Sequence, residues 1–165
     1  MRVNKIDTKR ENLFRNRLSY NYRLIYDIGC ATGLRVSDII KLEKKILAIK
    51  EPTITEQKTN KSKRIYIPKK LKEELKEYSK YNKRFIFESK SKCGHITRQA
   101  VFKHFKRIAK IIETKENIGT HTMRKNYACK LLKKGKNYKY IKDKLNHERL
   151  NDTLLYIIDG LSNNE

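Results

Sequence analysis

Thr32-Gly33-Leu34-Arg35-Val36-Ser37-Asp38 is the stretch from which the reading of this chain works outward. Upstream, from Thr8 to Ala31, the apolar residues Leu13, Phe14, Leu18, Tyr22, Ile25 and Ile28 recur at helical spacing with Arg and Lys between them, which predicts an amphipathic helix. Thr32-Gly33 interrupts it. Downstream, a short helix is expected from about Val36 to Leu42, with Ser37 and Asp38 near its start, where a hydroxyl and a carboxylate satisfy free backbone N–H groups. Arg35 is thereby set just after a glycine turn.

Between Lys45 and Pro68 the pattern changes to short β-type runs, Ile46–Ile49, Thr53–Gln57 and Arg64–Ile67. The polar stretch from Lys58 to Lys63 separates the last two, so a small antiparallel three-stranded sheet with a basic hairpin tip is expected. After Pro68, Leu71, Leu75 and Tyr78 mark a helix; Phe85-Ile86-Phe87 is too short to classify, and a polar loop follows over Ser89–Gly94. Thr97 reads as the N-cap of a helix burying Val101, Phe102, Phe105, Ile108 and Ile112. Another helix starts near Thr122, turns Tyr127, Ala128, Leu131 and Leu132 inward and stops at Gly135; Tyr138–Leu145 and Leu150–Ile158 complete the pattern. No internal repeat, flexible linker or break in composition divides the chain. The fold class is α+β, mainly α, as one domain over residues 1–165.

The chain has 165 residues and a formal net charge of +23, with 38% hydrophobic and 36% charged residues, so it can bury a core despite its charge. No stretch approaches the roughly 18 consecutive apolar residues of a membrane span, and the basic N-terminus lacks the apolar region of a secretory signal. Cys30, Cys93 and Cys129 are too few and too scattered for a disulfide framework, which fits a reduced, cytoplasmic setting. Cys93-Gly94-His95 offers two ligands where zinc needs four, and reads as a loop turn. So large a positive charge makes nucleic acid the leading partner, because phosphates release counterions on binding it. An anionic membrane is the weaker reading, since the basic residues are spread along the whole chain.

Two segments join the first arginine as candidates for chemistry. His121-Thr122-Met123-Arg124 puts a histidine and an arginine on one helix face. Leu145-Asn146-His147 is followed, nine residues after the histidine, by Tyr156 in the apolar run Leu154-Leu155-Tyr156-Ile157-Ile158. In this order and spacing the set closely resembles the tyrosine recombinase, or phage integrase, family, which cuts and rejoins DNA through a phosphotyrosine. The resemblance runs from about Leu13 to Ile158. Thr32 to Asp38 is similar to the family's first arginine box, His121 to Arg124 to its second, Leu145 to His147 with Tyr156 to its last, and Lys58 falls at its β-hairpin lysine.

Displacement at a phosphodiester needs charge stabilisation on the non-bridging oxygens, a nucleophile, and a proton for the leaving 5′-hydroxyl. Arg35 and Arg124 suit the first need, because a planar, permanently charged guanidinium offers paired donors to phosphate. Tyr156, with an ordinary pKa of about 10, needs a nearby base and positive charge to act as nucleophile. The resemblance implies His121 as that base and His147 as a donor to the phosphate. Lys58 suits delivery of the leaving-group proton, with Lys61 and Lys63 as rivals for the hairpin position. Asp38 reads either as a helix-start charge or as a support for Arg35, and Lys61, Lys63, Arg64, Arg98 and Lys125 as further DNA contacts. No acidic cluster looks able to hold two Mg²⁺ ions, and the resemblance implies no cofactor.

The resemblance also implies duplex attachment sites as partner and a tetramer on paired sites, with a monomer expected in free solution. Family members usually carry a separate N-terminal helical domain, so this chain reads as the catalytic domain of a longer recombinase, with residues 1–8 as a linker remnant. Two rivals stand beside this reading. One is a non-catalytic DNA-binding module that keeps the fold; the other is a basic RNA-binding protein.

Overall fold

The computed structural model describes residues 8–154. In chain order its elements are α1 (Thr8–Arg17), α2 (Tyr20–Thr32), α3 (Val36–Ile39), a 3-10 turn (Lys44–Ala48), β1 (Thr53–Thr55), β2 (Ser62–Arg64), α4 (Lys69–Tyr78), α5 (Arg98–Ile111), α6 (Thr122–Lys133) and α7 (Tyr138–Leu145). A further helix is entered at residue 150 and runs to the last described residue. The architecture is mainly helical with a small antiparallel sheet, as the sequence pattern predicts.

The expected third strand is a correction: among the described residues the sheet has two strands, pairing Thr53 with Arg64, Ile54 with Lys63 and Thr55 with Ser62. The run Ile46–Ile49 begins instead inside the 3-10 turn. Ile46 and Leu47 are both buried, and an extended strand would send adjacent side chains to opposite faces. Lys44 anchors the turn, its N–H donating to the Arg84 carbonyl at 2.9 Å and its ammonium to the carbonyls of Lys80 and Asn82 just beyond α4.

The helix expected over Thr8–Ala31 is broken in two at Leu18-Ser19. Ser19 leaves helical geometry and donates its N–H to Nε2 of His104 on α5 at 3.3 Å, so a tertiary partner takes the bond a continuous helix would have made. Within α1, Leu13 is exposed and Phe14 is buried. Phe14 meets Tyr26 and Phe105 edge to face, with ring centroids 5.5 Å apart in each pair. Each fully buried aromatic or aliphatic side chain stabilises the fold by about 1.5–3 kcal/mol. On α5, Thr97 caps as expected, its hydroxyl accepting the Ala100 N–H, but Phe102 faces outward beneath Lys106 rather than into the core.

α2 and α6 form the contact that positions the rest. Gly29 on α2 lies so close to Met123 on α6 that a Cβ there would sit 2.5 Å from the Met123 sulfur. One turn further, Gly33 ends α2 in the left-handed conformation, at φ 66°, with its α-carbon against the Tyr127 ring. Arg15 and Asp27 tie α1 to α2 through two 2.6 Å hydrogen bonds, and the Tyr26 hydroxyl bridges Glu11 and Asn126, linking α1, α2 and α6. A smaller cluster of Ala128, Ile141 and Leu145 packs α7 on α6.

Gly29→Ala forces α2 and α6 apart and is expected to destabilise the fold by about 1–3 kcal/mol. A lower urea midpoint with an unchanged slope checks this; an unshifted midpoint contradicts the close crossing.

Candidate functional site

Arg35 is the N-cap residue of α3, delivered by the left-handed turn at Gly33. His121 is the N-cap residue of α6, and Arg124 follows it in the first turn of that helix. Asn146 ends α7 in the left-handed conformation at φ 50°, a geometry asparagine tolerates better than other side chains, and this turns His147 toward the same place. Lys58 is exposed on the turn between β1 and β2. Arg35, Lys58, His121, Arg124 and His147 line one cleft of about 330 Å³. A neighbouring recess of about 440 Å³ shares all of these but His147 and adds Arg98. A larger cavity of about 660 Å³ lies elsewhere, around Tyr26 and Cys30, and contains none of them.

Arg124 is almost fully enclosed, at 1% exposure. Its guanidinium donates to the Gly33 carbonyl at 2.5 Å and to the Leu145 carbonyl at 2.7 Å, so one side chain pins the turn before Arg35 to the turn before His147. Lys63, on β2, points away from the open cleft and makes a parallel bridge, donating to the carbonyls of Thr32 at 3.1 Å and Lys144 at 2.8 Å. Burial pulls the Lys63 ammonium down to about 8, against the opposing pull of Glu56. Lys61, Arg64 and Arg98 stand exposed, whereas Lys125 is buried at 5% exposure and is withdrawn from the surface.

Both histidines are biased toward the neutral form. Burial, then Arg124, depress the His147 imidazole to about 4, with Asp152 opposing, and its Nδ1 lies 3.0 Å from the Thr153 hydroxyl. His121 is also lowered, by the shelter of its ring and then by Arg124, Arg98, Arg35 and Lys58, although much of the residue is exposed. Tyr156, the expected nucleophile, lies outside the described residues.

The acid at the centre was not foreseen. Glu56 is fully buried, and its carboxylate accepts from Nη1 of Arg35 at 2.5 Å. Arg124 lies 3.6 Å and Lys63 3.8 Å from its other oxygen. Burial alone would raise this carboxyl, but Lys63, Arg35 and Arg124 outweigh it and hold it below the usual glutamate range. Asp38 stands in the first turn of α3, as a helix-start charge would, and makes a further link. Its carboxylate accepts the Gln57 N–H at 3.1 Å, joining α3 to the hairpin, and burial raises its pKa. One feature of the sequence marks Glu56: it is the only acid between Glu51 and Glu73, in a stretch dense with lysine.

The family model described as the phage integrase family matches residues 2–159. The probable integrase/recombinase YoeC of Bacillus subtilis (strain 168) is 30% identical over 154 residues, which cover 92% of this chain and 83% of that protein. Tyrosine recombinase XerC of Thermodesulfovibrio yellowstonii is 30% identical over 148 residues, 81% of this chain and 48% of the relative. The chain thus spans about half the length of XerC and of the other curated tyrosine recombinases it matches. Among solved structures, the Tn1549 transposon integrase in complex with a circular intermediate DNA superposes with a TM-score of 0.77 at 17% identity, covering 94% of this chain and 62% of that one. A lambda integrase dimer bound to a COC′ core site gives a TM-score of 0.77 at 17% identity, over 100% and 50% of the two chains.

His147 is expected to titrate near 4 by NMR in the free protein. Its value in the fold lies below the unfolded value of about 6.5, so its neutral form favours the native state. Stability is therefore lost progressively as the pH falls from about 6.5 to about 4. His147→Gln flattens that part of the stability profile; a midpoint near 6.5 in the native protein contradicts the buried environment.

Proposed function

Because the chain belongs to the phage integrase family, we propose that it is the strand-cutting and rejoining part of a site-specific DNA recombinase, working on duplex DNA through a 3′-phosphotyrosyl intermediate. The single observation that carries this reading is the cleft that gathers Arg35, Lys58, His121, Arg124 and His147 from four separate parts of the chain. Two guanidiniums, an ammonium and two imidazoles around one small space suit one scissile phosphate.

In the proposed cycle, the Tyr156 oxygen attacks phosphorus while the bond from phosphorus to the 5′-oxygen breaks. The phenol proton passes to His121, which is able to accept it because it is held neutral. Arg35, Arg124 and His147 stabilise charge on the non-bridging oxygens. Lys58 gives its proton to the departing 5′-oxygen, a transfer that an ammonium makes and a guanidinium does not. The phosphotyrosine keeps the energy of the broken bond, so a 5′-hydroxyl from a partner strand reverses the step without ATP. Lys58 is favoured over its rivals by its exposure at the cleft beside both arginines, since Lys63 is engaged by two backbone carbonyls behind it.

The DNA-bound relatives support duplex DNA as the substrate. Assembly as a tetramer on paired sites, a monomer in free solution and a cytoplasmic location belong to the same proposal. The second reading, a DNA-binding module that no longer cuts, predicts steeply salt-dependent binding and no covalent product.

Incubation with nicked, labelled duplex in EDTA, followed by a denaturing gel, tests the reaction. Wild type is expected to form a covalent band and Tyr156→Phe none, with DNA affinity nearly unchanged. An adduct that persists in Tyr156→Phe removes that residue as nucleophile, and its absence from both transfers the weight to the non-cutting module. Lys58→Ala is expected to slow adduct formation by about 100-fold or more while changing DNA affinity only a few-fold. Single-turnover rates check this, and a wild-type rate returns the assignment to Lys61.

A further inference from the structure

Glu56 is the acid at the centre of a group of cations, and it engages both Arg35 and the hairpin. Its carboxylate takes the Arg35 guanidinium at 2.5 Å and a hydrogen bond from the Thr59 hydroxyl at 3.3 Å. Its backbone closes the turn: the Glu56 N–H donates to the Lys61 carbonyl at 3.0 Å, and the Asn60 N–H donates to the Glu56 carbonyl at 2.9 Å. Lys58 stands on that turn, between the residues so held. We propose that Glu56 is a positioning residue for strand cleavage, fixing Arg35 and the turn that carries Lys58 relative to one another so that both address the same phosphate.

This inference rests on the roles given to Arg35 and Lys58 above, and it adds a residue that those roles do not include. Two physical points favour a positioning task over a purely structural one. A guanidinium has five N–H donors, and Glu56 is bonded to Nη1 of Arg35, which leaves the rest of the fork to grip an anion. A buried carboxylate is also a poor device for stability alone, because desolvating ions costs as much as their attraction returns. What it supplies is a fixed separation between groups that would otherwise repel.

The charge count gives the arrangement a direction. Arg35, Arg124 and Lys63 against Glu56 leave a net charge of +2 at the floor of the cleft. A phosphodiester carries −1 and its five-coordinate transition state −2, so the balance favours the transition state over the bound substrate. Removing the carboxylate raises the floor to +3, which strengthens the attraction for phosphate in both states, so slower cleavage would report the lost placement of Arg35 and the turn.

Glu56→Gln is therefore expected to bind duplex DNA as tightly as wild type or up to about five-fold tighter, while forming adduct about 10- to 100-fold more slowly. Glu56→Asp keeps the charge with a shorter reach. It is expected to hold wild-type affinity at an intermediate rate, which separates placement from charge and guards against misfolding of the first variant. A 5′-bridging thio substrate, whose sulfur leaves without a proton, is expected to recover about ten-fold of the Glu56→Gln rate by bypassing Lys58. Cleavage by Glu56→Gln within two-fold of wild type, or affinity and cleavage falling together, overturns the proposal. Amide hydrogen exchange over residues 56–61 decides the placement apart from activity: Glu56→Gln speeds it at least about ten-fold if Glu56 holds the turn. Unchanged exchange overturns the proposal. A wild type that forms no adduct while exchange responds in this way refutes the recombinase reading and leaves the placement standing.

Discussion

A guanidinium does not give up its charge, so a fold that encloses Arg124 at 1% exposure must supply partners for it. Those partners are the carbonyls of Gly33 and Leu145, with Glu56 behind them. Gly33 ends α2 and Leu145 ends α7, so both are backbone groups left without helical partners, the kind that seek a cation. The left-handed turns beside them, at Gly33 and Asn146, aim these carbonyls at one point. Arg35 leaves the first turn and His147 the second. The burial of one side chain thereby sets the spacing of three segments that are far apart in sequence.

The hairpin is joined to this centre by a second set of charges. Lys63 repeats the pattern of Arg124, donating to the neighbouring carbonyls of Thr32 and Lys144, and Glu56 lies between the two cations. Two short strands of three residues each would not hold a fixed place on their own. The buried ions give the hairpin its register against the helices, at a cost in desolvation that little of the surrounding apolar packing shares. Asp38 adds a further link by holding the Gln57 N–H. The Lys58 turn is exposed, and its two ends are tied to the floor that Arg35 shares.

Much of this was legible in the sequence where one residue type has one local use. Thr97 capped its helix, the bounds of α7 fell at Tyr138 and Leu145, and the glycine turn delivered Arg35 to the start of α3. Local pattern failed where a distant partner decided the outcome. The break at Ser19 depends on His104, 85 residues away, and no periodicity within the helix announces it. Ile46–Ile49 has β-type composition, but its lysine neighbour reaches past α4 and the chain coils to bury Ile46 and Leu47 together. Phe102 shares the spacing of its buried neighbours and still faces water. Glu56 was hidden for a different reason. A sequence shows that an acid is scarce in a basic stretch, but not that three cations from three other positions converge on it.

The state of His147 follows from the same crowding. With its imidazole depressed to about 4, it stands neutral at physiological pH, and a neutral ring has one donor nitrogen and one acceptor. Its Nδ1 lies against the Thr153 hydroxyl, which can serve either way. For the other nitrogen to donate to a phosphate oxygen, Nδ1 must accept from Thr153, so the tautomer the proposed reaction needs is the one in which the hydroxyl donates to the ring. In the proposed complex an arriving phosphate would add to the opposition that Asp152 and Glu56 already offer to the repulsion from Arg124 and Arg35. Its charge would draw the His147 pKa upward, so the proposed reading links DNA binding to proton uptake at His147. Burial does most to keep the histidine neutral in the free protein, and the cations that add to it are the ones the proposed reaction places around the phosphate.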